Sequence, residues 1–227
     1  MDTIITESRE RLFPKKYVED RNRYWDSYTK TFRIVGKRME NFETYTLDTL
    51  DLLDDGRTVS NMHLSKILFS DVIFTRFCSV KSIISNYGMD SLAHPCFLDV
   101  VLNNSKSGEY YLGKQKARSL LESETQYTFI STPIIYQKNL GISGLEDASR
   151  VLLTKEIDLD INLSVGTVIN YNDEFHFIST VKTDLTYTDL NKLNKHFSFE
   201  NFIGWNPESG DKDKVISETA EILKLSL

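Results

Sequence analysis

The sequence predicts an α+β fold, and three observations predict it. Aromatic and apolar residues recur at helical spacing through the first third of the chain. Alternating apolar and polar residues dominate the middle. A helical period returns near the C-terminus. Together these give N-terminal helices packed on a C-terminal antiparallel β-sheet or small β-barrel, closed by a C-terminal helix. The periodicity divides the chain into a mainly helical region at 1–92, a mainly β region at 93–210 and the C-terminal helix at 211–227. All three are expected within one compact domain, for which 227 residues supply a sizeable core.

The first helix is expected from Tyr17, after Pro14. It carries Tyr17, Tyr24, Trp25, Tyr28, Phe32, Val35 and Met39 at steps that build one aromatic stripe. LDTLDLLDDGRT reads as a short helical turn stopped by Gly56. A second long helix is expected from Ser60 or Asn61 to Gly88, with apolar residues on more than one face. Phe97 to Leu102 is a short apolar strand. NNSKSG follows as a turn, and EYYLG pairs back. Lys116 to Glu124 reads as a short helix, and Tyr127 to Tyr136 as β, with Pro133 at an edge or bend. Ile157 to Leu163 alternates strictly and is the clearest strand. Val165 to Tyr171 and Glu174 to Val181 form a hairpin across Asn172 and Asp173, two residue types that tolerate positive φ. Asp189 to His196 and Lys212 to Leu225 are the last two helices.

Composition narrows the function. The net charge of -6 gives no basic footprint for nucleic acid, so no sequence-specific nucleic-acid partner is expected. The small basic cluster Arg9, Arg11, Lys15 and Lys16 is flanked by acids and reads as a solvated face. No apolar run is long enough to span a membrane, and MDTIITESRERLF lacks the layout of a secretory signal. The expectation is a soluble, intracellular chain without a membrane partner. Cys78 and Cys96 sit in apolar surroundings and read as buried free thiols; Pro95 stands between Cys96 and His94, and no orienting acid is apparent.

The sharpest enzymatic pattern is Gly108 to Gln115, GEYYLGKQ. It meets most of the spacing of a phosphate-binding loop through Gly108, Gly113 and Lys114. Gln115 lacks the hydroxyl that binds magnesium, and Glu-Tyr-Tyr-Leu is bulky where bare backbone must approach phosphate. A hairpin is the preferred reading. His63-Leu64-Ser65 and His196-Phe197-Ser198 match the paired His-x-Ser elements of two-histidine phosphoesterases, but the first lies in a helical pattern. Asp51, Asp54 and Asp55 fail the spacing of a calcium loop. Asp158 and Asp160 share one strand face and read as its solvent side. No catalytic residue, cofactor or metal site is therefore expected.

Ser164 to Ile178, SVGTVINYNDEFHFI, resembles the barrel hairpin of tailed-bacteriophage neck and head-closure (head–tail connector) proteins. The order of Pro133 to Lys138, Gly141-Ile142 and Arg150 to Leu153 upstream, and of Thr183 to Phe199 downstream, is similar to that layout over about residues 127–200. Thr167 and Asn172-Asp173 depart from its usual Asp and glycine turn. The resemblance implies a non-enzymatic, ring-forming homo-oligomer that contacts portal and tail subunits of the virion and assembles in the host cytoplasm. Tyr, Phe and Trp dominate protein interfaces, so Tyr17, Tyr24, Trp25, Tyr28 and Phe32 are the first interface candidates, with Tyr110, Tyr111, Phe202 and Trp205 second. Two other readings stand beside it. One is a phosphate- or nucleotide-handling enzyme using the Gly108–Lys114 loop, with His63 or His196. The other is a small phage-encoded regulatory protein that binds a host protein.

Overall fold

The computed structural model describes residues 4–7, 10–34, 39–52, 59–115, 127–137, 140–159, 165–195, 198–208 and 215–225. Its α+β class is the one expected from the sequence. The chain forms two compact units, the first of residues 1–96 and 133–142, the second of residues 97–132 and 143–227.

The first unit contains β1 (Ile4–Glu7), α1 (Lys15–Ile34), β2 (Glu43–Leu52), β3 (Val59–Leu68), α2 (Phe69–Phe77) and α3 (Val80–Tyr87). β3 is central in a three-stranded sheet, parallel to β1 and antiparallel to β2. The expected aromatic stripe is present on α1. Tyr17 is fully buried with Phe74, Ile83 and Leu92. Its ring meets Phe74 and Tyr87 edge-on, at 5.2 and 5.4 Å between centroids. One turn further, Arg21 forms a 2.7 Å ion pair with Asp71 of α2, and both side chains are buried.

The long helix expected over 60–88 is instead a strand followed by two short helices. Met62-His63-Leu64-Ser65 alternates apolar with polar, which is the period of a strand. β2 supplies its partner, with β-branched Thr44, Thr46 and Thr49, and its end at 47–52 is strand where the stretch from Leu47 suggested a helical turn. Helix begins at Phe69, where the Asp71 carboxylate accepts the Leu68 main-chain N–H at 2.8 Å. Ser79 caps α3 in the opposite sense, its hydroxyl accepting the main-chain N–H of Ser82.

The second unit is built on a seven-stranded sheet. Its strands are β4 (Cys96–Asn104), β5 (Tyr110–Gln115), β6 (Tyr127–Thr128), β7 (Ile130–Pro133), β8 (Val165–Tyr171), β9 (Glu174–Thr183) and β10 (Phe199–Trp205). The order runs β10-β5-β4-β9-β8, with β6 on β5 and β7 on β4. The β8–β9 hairpin turns where expected, with φ of 51° at Asn172 and 64° at Asp173. Helices α4 (Ile142–Glu156), α5 (Tyr187–Leu193) and α6 (Ser217–Leu225) complete it.

Strand alternation sorts the core into two layers. Val100 and Leu102 of β4 join Leu153 of α4, Leu190 of α5 and Val181 of β9. Val101 joins Ile178 of β9 and Ala220, Ile222 and Leu223 of α6. Thus α4 and α5 pack into one cluster and α6 into the other. The expected strand at Ile157 to Leu163 is not seen: Ile157 is buried in the α4 cluster just past that helix, Asp158 is exposed, and 160–163 lie outside the described residues. The helix expected at Lys116 to Glu124 also lies outside them.

Candidate metal centre

The period of two on β9 places Glu174, His176 and Ile178 on the same face. The neighbouring strand β4 places Asp99 and Val101 there as well. Helix α6 packs into that layer and brings Glu218, in its first turn, to the same point. Four titratable side chains from three elements therefore meet inside the second unit.

His176 is the centre of the group. Its ring stacks on Phe97 at 5.4 Å and 16°. Nδ1 lies 2.7 Å from Asp99 Oδ2, and the two side chains are 2% and 0% exposed. A carboxylate only accepts, so Nδ1–H donates to Asp99, and in the neutral ring the lone pair stands on Nε2. Nε2 is buried without a hydrogen-bond partner. The Glu218 Oε1 atom stands 3.8 Å away, too far for a hydrogen bond. One ligand atom from each of Glu174, His176 and Glu218 lies within 4.8 Å of the others.

This donor set fits a divalent metal ion. A histidine oriented through its other nitrogen by a buried carboxylate is the usual second layer of a metal site. Bonds of about 2.1 Å at tetrahedral angles put donor atoms roughly 3.4 Å apart. The Nε2–Glu218 separation exceeds that by only a few tenths of an ångström, within reach of a glutamate rotation. One imidazole with two carboxylates suits zinc, manganese or iron(II). Glu174 is nearly buried, whereas the Glu218 side chain is 32% exposed and marks the solvent side.

The residues singled out in the sequence lie elsewhere. Gly108 to Gln115 forms no phosphate cradle. Gly108 turns the β4–β5 hairpin with φ +72°, and Gly113 lies in β5, where an added Cβ would fall 2.4 Å from the Phe199 ring. Lys114 is paired with Glu200 at 3.0 Å. His63 is on β3, 2.9 Å from the Asn61 amide. His196 lies outside the described residues, as do Asp54, Asp55 and Asp160. Asp51 is in β2, 3.6 Å from His63, and Asp158 pairs with Lys195. Cys96 is buried, and burial pushes its thiol up. Its Sγ lies 3.9 Å from the main-chain carbonyl of His94.

The candidate interface aromatics do not form one exposed surface. Tyr17 is in the core of the first unit. Tyr111 and Phe202 lie in the α4 cluster, Tyr110 and Trp205 in the α6 cluster, and all four are buried. These five rings serve the chain's own packing. Tyr24, Trp25 and Tyr28 are half-buried along α1, and the Phe32 side chain lies outside the described residues.

No protein-family model matches the sequence, and no curated protein does. Solved structures do show partial likeness. A MutT protein from Methanosarcina mazei Go1 is 8% identical, with a TM-score of 0.41 over 58% of this chain and 91% of that one. The Nudix domain of Shewanella oneidensis NrtR, solved with ADP ribose, is 8% identical, with a TM-score of 0.41 over 66% and 97%. A Nudix-family hydrolase from Clostridium perfringens is 9% identical, with a TM-score of 0.39 over 60% and 97%. These structures are of the Nudix and MutT type, none of them is a neck or connector protein, and the connector reading is withdrawn. The virion location and the non-enzymatic role fall with it. In this fold β8 of the SVGTVINY hairpin stands at one end of the strand order β10-β5-β4-β9-β8, and Arg150 to Leu153 lies within α4. No described helix is long and apolar enough to cross a membrane.

The sequence alone did not reveal this cluster, although two of its signals were visible. Glu174-Phe175-His176 places a carboxylate and an imidazole two residues apart on a strand. Asp99 is the one charge in the apolar run Phe97 to Leu102. Glu218 carried no such signal, because nothing local says which face of the sheet α6 covers.

Proposed function

We propose that this protein is a metal-dependent hydrolase of phosphate-containing small molecules, with its ion held by Glu174, His176 and Glu218. The observation that carries the reading is the buried, unpartnered Nε2 of His176, backed by Asp99 and faced by two carboxylates. Three protein ligands leave a coordination position open, which is the pattern of catalytic sites. Glu174, His176 and Glu218 would hold a divalent ion, which would supply Lewis acidity to a water molecule and to a phosphate oxygen.

The chain's own groups have separate tasks. Asp99 holds the Nδ1 proton and so keeps the Nε2 lone pair directed at the ion. Phe97 fixes the plane of the ring. Glu174 and Glu218 balance the charge of the ion, and the exposed side of Glu218 is where substrate arrives. The oxygen-rich set favours hard phosphate oxygens as the remaining ligands.

The test is turnover. Purified protein is incubated with Mn2+, Zn2+ or Mg2+ and with nucleoside diphosphates, dinucleoside polyphosphates and phosphate monoesters, and phosphate or nucleotide release is followed. Release should require the ion and be lost in His176→Ala. Ion binding without release from any compound would remove the hydrolase reading.

A further inference from the structure

Two of the three proposed ligands, Glu174 and His176, are fixed two residues apart on β9. The third is on a different element. Glu218 lies in the first turn of α6, whose opposite face is held separately by buried Thr219, Ala220, Ile222 and Leu223. Ala220, Ile222 and Leu223 pack on Val101, Leu112 and Ile178. Thr219 Oγ1 meets Thr128 Oγ1 at 2.6 Å. The Ile216 N–H donates to the Tyr127 carbonyl at 3.1 Å, beside a single bridge between Val215 and Tyr127. Docking of α6 therefore brings the Glu218 carboxylate toward a glutamate and a histidine whose Nε2 has no partner.

We propose that the metal ion is the latch of the C-terminal helix: α6 docked by Glu218 completes the ion's ligands, and the ion in turn holds α6 on the sheet. This rests on the metal reading above and adds a regulation of that site. Linkage makes the coupling reciprocal. If undocking of α6 removes Glu218 from the ion, metal favours the docked state by the ratio of the two affinities. That ratio is measurable on its own, as the loss of affinity in Glu218→Ala. Helix docking and open coordination then become one equilibrium. A ligand that displaces Glu218 from the ion removes the ion's share of the docking and leaves α6 held by Ala220, Ile222 and Leu223.

Hydrogen exchange of the intact chain with Mn2+ tests the latch. Calorimetry first gives the Mn2+ dissociation constant of the parent and of Glu218→Ala. Exchange at the amides of Ser217 to Leu225 is then compared without Mn2+ and at about 100 times the parent constant. Exchange should slow by the ratio of the two constants, up to roughly 100-fold, and Glu218→Ala should show no slowing. Mn2+ binding with unchanged exchange in α6 overturns the latch and leaves the metal site standing. Absence of Mn2+ binding overturns the site, and the latch with it.

Discussion

Replacing Asp99 by Asn separates a metal ligand's support from its mere presence. Asp99 touches no ion in the proposed arrangement; it acts through His176. Its Oδ2 atom accepts the Nδ1–H at 2.7 Å in a fully buried setting, where a charge-assisted bond is strong. Asparagine keeps the shape and removes the charge. With its amide nitrogen toward Nδ1, the ring takes the other tautomer and Nε2 carries the proton where the ion belongs. With its oxygen toward Nδ1, the ring keeps its tautomer but loses the negative charge that makes Nε2 basic. Either orientation weakens the ion's bond. Losing such a supporting partner costs about 10- to 100-fold in metal affinity, or roughly 1.4–2.7 kcal/mol. Calorimetric titration with Zn2+ and Mn2+ reads this directly, with circular dichroism confirming that the variant is folded. An affinity within twofold of the parent would refute the argument that Asp99 sets the lone pair of His176.

Further predictions concern the frame around the site. Asp71→Leu leaves the Arg21 guanidinium buried without its partner and removes the cap at Leu68, so urea denaturation should show a loss of about 3–5 kcal/mol. Burial sets the Asp71 carboxyl above its ordinary range despite Arg21, so the ion pair does not repay its own desolvation. The double variant Arg21→Met, Asp71→Leu should therefore recover most of that loss. Gly113→Ala drives a methyl into the Phe199 ring and should cost about 1–3 kcal/mol in the same assay. Tyr111→Phe removes the hydroxyl that donates to the Leu185 carbonyl at 2.7 Å and should cost about 1 kcal/mol.

Much of the second unit was legible in the sequence, because its signals are local. The β8–β9 hairpin needed only alternation and two residues that accept positive φ. The β4–β5 hairpin followed from an apolar run, a polar turn and Tyr-Tyr-Leu. Tertiary context decided the rest. β3 and α2 share one uninterrupted set of apolar residues, and only the change of period at Phe69 divides them. α4 was overlooked because Ser149 and Glu156 occupy its buried stripe, and their polar character broke the apolar pattern. Ser149 is buried because it bonds Ser179 of β9 at 2.9 Å, a partner thirty residues away. The candidate site divides along the same line. Glu174 and His176 are a pair on one strand and readable as such. Their junction with Asp99 and Glu218 depends on strand order and on the face that α6 covers, and neither is written in any short stretch of residues.

The most direct test of the metal centre is an anomalous-scattering map from crystals grown with Mn2+ or Zn2+. One strong peak is expected roughly 2.0–2.2 Å from His176 Nε2 and from a carboxylate oxygen each of Glu174 and Glu218. A map with no peak there, and with Nε2 hydrogen-bonded to Glu218 or to water instead, would contradict it.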